Sequence, residues 1–212
     1  RENRFVAKVL LDGCETATHV KNTGRCKELL VPGYTVYLSV SDNPSRKTKY
    51  DLVTVEKIRN GKTNLLVNMD SQVPNAAAEE WLKKGGLIEN PTLVKSECTY
   101  KNSRFDFYIQ KDERRIFAEV KGVTLEKDGV VLFPDAPTER GVKHLRELTK
   151  AQSEGFSCAV AFVIQMEGIT EVLPNIQTHA EFGVALDEAK SAGVEVLFLK
   201  CAVTPDTLEI IN

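Results

Sequence analysis

The chain has few cysteines, no long apolar run and little net charge. Its five cysteines are scattered, odd in number and form no C-x-x-C motif, which argues against a disulfide scaffold and against a zinc site. The longest clean apolar run, CAVAFVI at 158–164, is too short to cross a membrane, and the first residues contain no signal-peptide apolar region. We therefore expect a cytoplasmic protein with reduced thiols and no membrane association.

Charge is unevenly distributed, although the formal net charge is only −2. Residues 1–75 carry 12 Lys/Arg and 8 Asp/Glu, whereas residues 76–212 carry 16 and 22. The low total argues against a strongly basic nucleic-acid-binding protein. A basic N-terminal part beside an acidic remainder nevertheless suits a module that grips a polyanion next to one that binds metal.

The N-terminal part has the pattern of a small β-barrel. Runs rich in β-branched and aromatic residues alternate with Gly, Asn and Pro, and GRCKELL predicts a short helical turn between the second and third runs. The runs are RFVAKVLL, ETATHV, TVYLSV, YDLVTVEKI and NLLVNM. So many short strands in so few residues indicate an OB-like β-barrel, which we assign to residues 1–73.

Residues 74–212 have the element order of an α/β unit. NAAAEEWLKKGG predicts a helix with Asn75 as its N-cap, and three strands follow it. A helix after Thr138 precedes the buried strand FSCAVAFVI, and HAEFGVALDEAKSAG and VEVLFLKCAV add a helix and a strand. The predicted fold class is therefore α/β (α+β), an OB-like barrel followed by an αβββαβ core.

The stretch FDFYIQKDERRIFAEVK at 105–121 predicts a β-hairpin. With a turn at 111–114, one face of the hairpin is entirely apolar, and Phe105 is expected opposite Val120 on that face. A slip of one residue would mix the two faces, so the pattern supports this register.

The second face of the hairpin brings two acids and a lysine together. Asp106 is predicted opposite Glu119, and Lys121 lies on the same side because it follows Glu119 by two residues. Opposed carboxylates, with Cβ atoms roughly 4.5–5.5 Å apart, repel each other, so the pair needs a cation or a raised pKa. A hard divalent cation held by oxygen atoms fits. The alternative is a solvated face on which Lys121 is only a counterion.

This element order, with Asp on the second strand and E-x-K on the third, resembles the PD-(D/E)XK nuclease superfamily. The resemblance implies that Asp and Glu hold Mg²⁺ and that the Lys positions or activates the attacking water. Phe105-Asp106 stands where the superfamily has Pro-Asp. Pro134-Asp135 is not the motif, because it follows E-x-K.

A longer set of motifs resembles the sugar fermentation stimulation protein A family over nearly the whole chain. The motifs are HVKNTGRCKELLVPG, NPSRKTKYDLV, VNMDSQVPN, SRFDF, AEVKGVTL and FPDAPTERGVKHLREL. The resemblance implies an OB-like domain, a nuclease-like domain, DNA binding without marked sequence specificity, and a regulatory link to sugar, notably maltose, utilisation. THAEF at 178–182 departs from the family pattern but touches no predicted catalytic residue.

The predicted metal ligands combine the hairpin acids with a carboxylate from the preceding helix. They are Asp106, Glu119, the carbonyl of Val120 and Glu80, which is preferred over Glu79, and the cation is Mg²⁺ or Mn²⁺. The alternative for the helix acids is pairing with lysines four residues away.

Lys121 and His144 complete the predicted catalytic set. Lys121 would orient the water or stabilise charge on the phosphate in the transition state, and His144 would donate a proton to the leaving 3′-oxygen.

Nucleic-acid contacts are predicted in two basic barrel loops, on a strand and on the helix after Thr138. The alternative is that these residues are only solvated. They are Asn22, Thr23, Arg25, Lys27, Arg46, Lys47, Lys49, Arg104, Arg140 and Lys143.

Two functions agree with these patterns, and a third does not. The first is a Mg²⁺-dependent nuclease that binds DNA largely without sequence specificity, and the second is a non-catalytic DNA-binding regulator of sugar (maltose) metabolism that retains the nuclease fold. A glycosidase is disfavoured, since hydrolytic carboxylates stand about 5–9.5 Å apart across a sugar cleft. The expected partner is DNA, no nucleotide cofactor is expected, and a homodimer is an open alternative to a monomer.

Overall fold

The N-terminal barrel forms as the alternation of apolar runs and turns predicts. The structure is a computed structural model that describes residues 1–169 and 171–211. Its first strands are β1 (Val6–Leu11), β2 (Cys14–Val20), β3 (Thr35–Val40), β4 (Tyr50–Lys57) and β5 (Leu65–Asn68). They lie in the order β1-β2-β4-β3 with β5 paired to β4, and GRCKELL forms hydrogen-bonded turns. The predicted OB-like barrel is confirmed.

The remainder of the chain supplies a mixed sheet and the helices that cover it. Its elements are α1 (Val73–Lys83), β6 (Leu93–Tyr100), β7 (Ser103–Lys111), β8 (Arg114–Val123), β9 (Glu126–Lys127), β10 (Val130–Phe133), α2 (Glu139–Ser153), β11 (Ser157–Ile164), β12 (Val172–Pro174), α3 (Ile176–Ser191), β13 (Glu195–Leu199), β14 (Cys201–Val203) and β15 (Leu208–Ile210). The main sheet has the order β13-β11-β8-β7-β6, with β8 parallel to β11 and antiparallel to β7. The predicted αβββαβ order is confirmed.

Strand β11 shows how the helices sandwich this sheet. Its alternate residues Val160 and Phe162 pack in a cluster with the apolar stripes of α2 and α3, whereas Ala161 and Val163 pack with α1. A strand buried on both faces reads as a continuous apolar run, which is why FSCAVAFVI shows no alternation.

The β7–β8 hairpin has the predicted register, but one face prediction was wrong. Lys111 pairs with Arg114, so the ladder continues to a two-residue turn. Phe105 belongs to the α2-side cluster and packs against Phe117, whereas Phe107 belongs to the α1-side cluster. Residues two apart in a regular strand share a face, so β7 is irregular between these two phenylalanines. The regular ladder to β8 ends at Phe107, one residue after Asp106.

Three other features of the helices and strands differ from the predictions. Helix α1 begins at Val73 with Pro74 in its first turn, so Asn75 lies inside the helix and is not its N-cap. The last predicted strand is divided into β13 and β14, and β14 pairs with β15 in a small hairpin. Helix α3 contains a kink at His179, whose φ of −158° and ψ of 86° are not helical.

The barrel and the main sheet share one hydrophobic core. Val67 of β5 bridges to Met166 after β11, and both are fully buried in a cluster that also contains residues of α2. The buried side-chain amide of Gln165 donates to the carbonyls of Asn68 (2.9 Å) and Asp70 (3.1 Å). The barrel is therefore joined to the sheet by packing and by hydrogen bonds. In the described part of the chain, no helix is long and apolar enough to span a membrane.

A buried ion pair also joins the two parts. Lys57 of β4 binds Glu126 of β9 through Oε2 (2.5 Å) and through its backbone carbonyl, and Gly129 N–H donates to Oε1 of the same carboxylate (2.5 Å). The Glu126 side chain is only 2% exposed, and that of Lys57 is 12% exposed. Burial favours the neutral carboxyl, but Lys57 and the Gly129 N–H outweigh it and hold the pKa of Glu126 below its ordinary value.

Removal of one partner of this pair is expected to destabilise the protein strongly. Lys57→Met leaves Glu126 buried without its cation, a change that costs about 3–5 kcal/mol. The Lys57→Met/Glu126→Leu double variant removes both charges and should recover most of that loss. Urea unfolding measures the free energy of each variant.

The matched control is Lys84→Met, because Lys84 pairs with Glu80 where both side chains are more than half exposed. It should change the free energy of unfolding by less than about 1 kcal/mol. A double variant less stable than Lys57→Met would contradict this account of the pair.

Candidate metal centre and nucleic-acid interface

Asp106 lies where the β7–β8 ladder ends, and neutral donors hold both of its carboxylate oxygens. The Asn75 side-chain amide donates to Oδ1 (3.0 Å), and the Val120 backbone N–H donates to Oδ2 (2.8 Å). Burial and the nearby Glu119 charge raise the pKa of Asp106. The carboxylate is thus fixed in place but has no cation bonded to it among the described residues.

Glu119, on β8, is almost completely buried, and its two oxygens have different surroundings. Oε1 accepts from Lys121 Nζ (2.5 Å) and contacts His144 Nδ1, whereas Oε2 is buried without a hydrogen-bond partner among the described residues. Burial favours the neutral acid, but the Lys121 charge and the His144 hydrogen bond outweigh it and lower the pKa of Glu119. A buried carboxylate oxygen without a partner is costly unless something binds it.

These features suit a divalent cation. Asp106 and Glu119 repel each other, and one oxygen of Glu119 is unpaired within the described chain. The N–H of Val120 points toward β7, and the carbonyl of a strand residue points the same way as its N–H, so the Val120 oxygen also faces the Asp106 side. Carboxylate and carbonyl oxygens are what Mg²⁺, Mn²⁺ and Ca²⁺ prefer. Asp106 thus contacts the Val120 backbone directly and is close enough to Glu119 for the two charges to interact.

The helix carboxylate that sequence analysis preferred is not part of this group. Glu80 is mostly exposed, pairs with Lys84, and lies about 140° around α1 from Asn75. Glu79 is one turn beyond Asn75 on the same side of the helix, is about one-third exposed and pairs with Lys83. The geometry favours Glu79 as the nearer acid, because Asn75 contacts Asp106.

The structure gives His144 a different place from that of an accessible proton donor. Its side chain is 6% exposed and lies behind Glu119, with Nδ1 on the carboxylate and Nε2 accepting a long hydrogen bond from Arg140 (3.4 Å). Both ring nitrogens are thus engaged within the protein. The arrangement favours a role in orienting Glu119 over direct contact with a leaving group.

Two residues of the site were not found by sequence reasoning. Asn75 was interpreted as a helix cap. Pro74 was the sequence signal against this, because proline favours the first turn of a helix, and α1 indeed begins before Asn75. Gln165 packs against Gly122, where a Cβ would come within 2.5 Å of Gln165 Oε1 and 2.7 Å of Pro74 Cγ. Gly122 thus allows α1 and β11 to approach the end of β8 beside Lys121.

The first predicted nucleic-acid loop docks between the segments that lead into α1 and α2. The Asn22 side-chain amide donates to the Met69 carbonyl (3.0 Å), and Arg25 N–H donates to Asp135 Oδ2 (2.9 Å). Asn22 Oδ1 also accepts from Gly24 N–H, so Asn22 shapes the loop. Thr23, Arg25 and Lys27 are exposed.

The second loop separates a structural arginine from exposed lysines. Arg46 donates to both oxygens of the buried Asp51, at 2.6 and 3.0 Å, and His19 and Lys21 contact the same carboxylate. Arg46, whose side chain is 25% exposed, is therefore bonded to Asp51 and is less available for a DNA phosphate than the prediction assumed. Lys47 and Lys49 are exposed.

The predicted contacts outside the barrel are exposed and have partners of their own. Arg104 pairs with Glu97 at the protein surface (3.4 Å), and Lys143 donates to the Asn102 carbonyl (2.9 Å). Arg140 and Lys143 lie in the first turns of α2, on the helix that carries His144. The structure therefore places basic groups on the elements that flank the acid pair.

Comparison with known proteins gives one consistent result. Residues 1–65 match the model of the SfsA N-terminal OB domain, and residues 72–207 match that of the sugar fermentation stimulation protein RE domain. A sugar fermentation stimulation protein homolog of Desulfitobacterium hafniense (strain DSM 10664 / DCB-2) is 56% identical over 99% of this chain and 89% of its own length. The homolog of Clostridium beijerinckii is 53% identical over 99% of this chain and 91% of its own length.

A solved structure agrees with these sequence matches. The structure of Pyrococcus furiosus SfsA in complex with Ca²⁺ is similar to this chain with a TM-score of 0.82 and 28% sequence identity. The similarity covers 95% of this chain and 85% of that one.

The Asp51 cluster predicts a pH dependence of stability. Hydrogen bonds from Arg46 outweigh burial and hold the pKa of Asp51 well below its ordinary value. Because the folded pKa is below the unfolded value of about 3.9, the stabilisation is present above about pH 4 and is lost as the pH falls through the folded pKa. Asp51→Asn should therefore lower the free energy of unfolding at neutral pH, and the difference from the parent should shrink below about pH 4.

Urea unfolding of both proteins between about pH 3 and pH 7 measures this difference. Asp187→Asn is the control, because Asp187 is an exposed acid on α3 and should change stability by less than about 0.5 kcal/mol at every pH. A pH-independent difference between parent and Asp51→Asn would contradict the assignment.

Proposed function

The chain belongs to the sugar fermentation stimulation protein family, and we propose that it binds DNA with little sequence specificity and hydrolyses phosphodiester bonds with Mg²⁺ or Mn²⁺. The observation that carries the proposal is the buried Oε2 of Glu119, unpartnered among the described residues, beside Asp106 and Lys121. An ion pair with Lys121 alone leaves this buried oxygen without a hydrogen-bond partner, which is costly, whereas a cation bound there would satisfy it. The complex of Pyrococcus furiosus SfsA with Ca²⁺ supports divalent-cation binding by this fold.

The residues of the site have separate roles in this proposal. Asp106, Glu119 and the Val120 carbonyl would hold the cation, which when bound polarises the phosphate and lowers the pKa of water. Lys121, 14% exposed, would aim the attacking water or stabilise charge that develops on the phosphate. Asn75 and His144 fix the two carboxylates, so that little reorganisation is needed during the reaction.

The barrel would deliver the DNA to this site. Its loop at 22–27 contacts the segments that begin α1 and α2, and those helices carry Asn75 and His144. Exposed cations on that loop, on the 46–49 loop and on α2 would contact successive phosphates. Since backbone contacts carry no sequence information, the expected binding is largely nonspecific.

A second candidate function is the DNA-binding regulator that retains the nuclease fold. The buried contact of His144 with Glu119 favours it, because both ring nitrogens of that histidine contact other residues of the protein. A regulator would bind DNA equally well with and without a divalent cation and would not cleave it.

The metal centre is tested first. Calorimetric titration with Mg²⁺ and Mn²⁺ should show binding that is at least about tenfold weaker in Asp106→Asn and in Glu119→Gln, since each change removes a ligand charge. Glu80→Gln is the matched control and should bind like the parent, because Glu80 points away from the acid pair. Unchanged binding in both site variants would remove the metal assignment.

DNA binding is tested through its salt dependence. The logarithm of affinity for duplex DNA should fall linearly with the logarithm of salt concentration, and Lys47→Ala/Lys49→Ala should reduce the slope by about 1 per lysine. Arg46 is left intact because it holds Asp51. Lys84→Ala, an exposed change next to α1, is the control, and an unaltered slope in the double variant would exclude the 46–49 loop from the interface.

Cleavage separates the enzyme from the regulator. Lys121→Ala should retain most DNA affinity, because one phosphate contact among many is minor. It should abolish cleavage, because its contribution is made in the transition state. Plasmid and single-stranded DNA are incubated with parent and variant in Mn²⁺ and in EDTA. Cation-dependent nicking by the parent alone supports the enzyme, whereas DNA binding without nicking by the parent supports the regulator.

A further inference from the structure

A cavity of ≈ 670 Å³ lies where the barrel meets the β9–β10 hairpin. We name it the junction pocket and define it by Glu28, Tyr34, Lys57, Lys62, Glu126 and Lys127. None of the residues assigned to the metal centre lines it. Its volume is within the range of small-molecule sites, about 300–1,000 Å³.

Glu28 lines the junction pocket, and one of its carboxylate oxygens lacks a partner. Oε1 of Glu28 is buried and has no hydrogen-bond partner among the described residues. The nearby Lys57 is already bonded to the carboxylate and the carbonyl of Glu126. Burial raises the pKa of Glu28, and the charge of the nearby Lys57 offsets that only in part. An acceptor in this position is satisfied by a hydroxyl or amino donor from a ligand.

Three basic residues, Arg59, Lys62 and Lys127, line the pocket together with the acid Asp128. Lys62 and Lys127 are exposed, and neither forms an ion pair within the described part of the chain. A Cβ placed on Gly129 would lie 3.6 Å from Lys62 Nζ, so Lys62 reaches the turn of the hairpin that contains Lys127. Arg59 lies on the same wall and uses its Nε on the Thr63 carbonyl. Ammonium and guanidinium groups grouped in this way suit a phosphate.

The pocket also has an apolar wall. Ile58 is 48% exposed although it is a large aliphatic residue, and it lines the cavity with Tyr34 and Leu125. Such a wall provides contact area for a furanose or a flat ring, while the polar groups fix its orientation.

We propose that the junction pocket binds a small phosphomonoester whose other end carries hydroxyl or amino donors, with the phosphate at Lys62 and Lys127 and a donor at Glu28. A nucleoside monophosphate and a pentose phosphate share this chemistry. The ligand would contact both the barrel and the C-terminal domain and so tie them together. This site goes beyond the proposed function and does not depend on it.

Calorimetry on the full chain in EDTA tests the pocket with adenosine monophosphate, guanosine monophosphate, ribose 5-phosphate and inorganic phosphate. EDTA and an Asp106→Asn background keep the metal centre out of the measurement. At least one organic monoester should bind at one site per chain, and Lys62→Ala/Lys127→Ala should weaken it about tenfold or more. Lys95→Ala, an exposed lysine on β6, should have no effect.

The Glu28→Leu variant tests the proposed contact at Glu28, because leucine removes the acceptor oxygens that glutamine would keep in part. It should weaken the organic monoesters but leave inorganic phosphate unchanged, because only the former reach Glu28. Tighter binding of the nucleotides than of ribose 5-phosphate would show that the pocket contacts the base. Equal binding would show that the pentose phosphate alone is recognised.

Three outcomes overturn the proposal. They are no binding of any organic monoester at millimolar concentration, binding of inorganic phosphate as tight as that of every organic monoester, and unchanged affinity in Lys62→Ala/Lys127→Ala. Loss of cation binding or of cleavage in the preceding experiments leaves this result untouched, so the two proposals fail independently.

Discussion

Two carboxylates that repel each other are held together at the end of one strand pair, and the architecture around them follows from that constraint. Asp106 receives hydrogen bonds from Asn75 and Val120, and Glu119 receives them from Lys121 and His144. The donors come from α1, β8 and α2, so both faces of the sheet contribute. The repulsion is nevertheless incompletely balanced, because Glu119 Oε2 has no partner within the described residues, and a bound cation would complete the balance.

The need to hold Asp106 in place also connects the barrel to the C-terminal domain. The start of α1 must lie close to β8 for Asn75 to reach Asp106, and the chain enters α1 directly from β5 of the barrel. Gln165 and the Lys57–Glu126 pair fix that entry by joining the barrel to β11 and β9. The barrel is therefore joined to the acid pair through α1 and the end of β11 by packing and hydrogen bonds.

Much of the fold could be predicted from the sequence because its signals are local. Runs of β-branched residues and the apolar stripe of α2 depend on neighbours in the chain, and the hairpin register followed from one apolar face. The predictions that were wrong needed distant neighbours. Phe105 lies on the α2 side, where its ring packs with Phe117 and other aromatic residues. Asn75 lies inside α1, which begins at Val73, and its side chain donates to Asp106.

For the site, the residue order predicts Asp106, Glu119 and Lys121 as the candidate groups, since alternation along a strand sets which side chains share a face. The structure pairs Lys121 with Glu119, whereas Asp106 lies where the ladder ends and contacts Asn75. How the other charged residues are used depends on the folded chain. Arg46 is committed to Asp51, Glu80 faces solvent, and Glu28 and Lys127 meet at one pocket although they are far apart in the chain. The partner and the solvent exposure of a charged side chain are set by long-range packing, which no local pattern records.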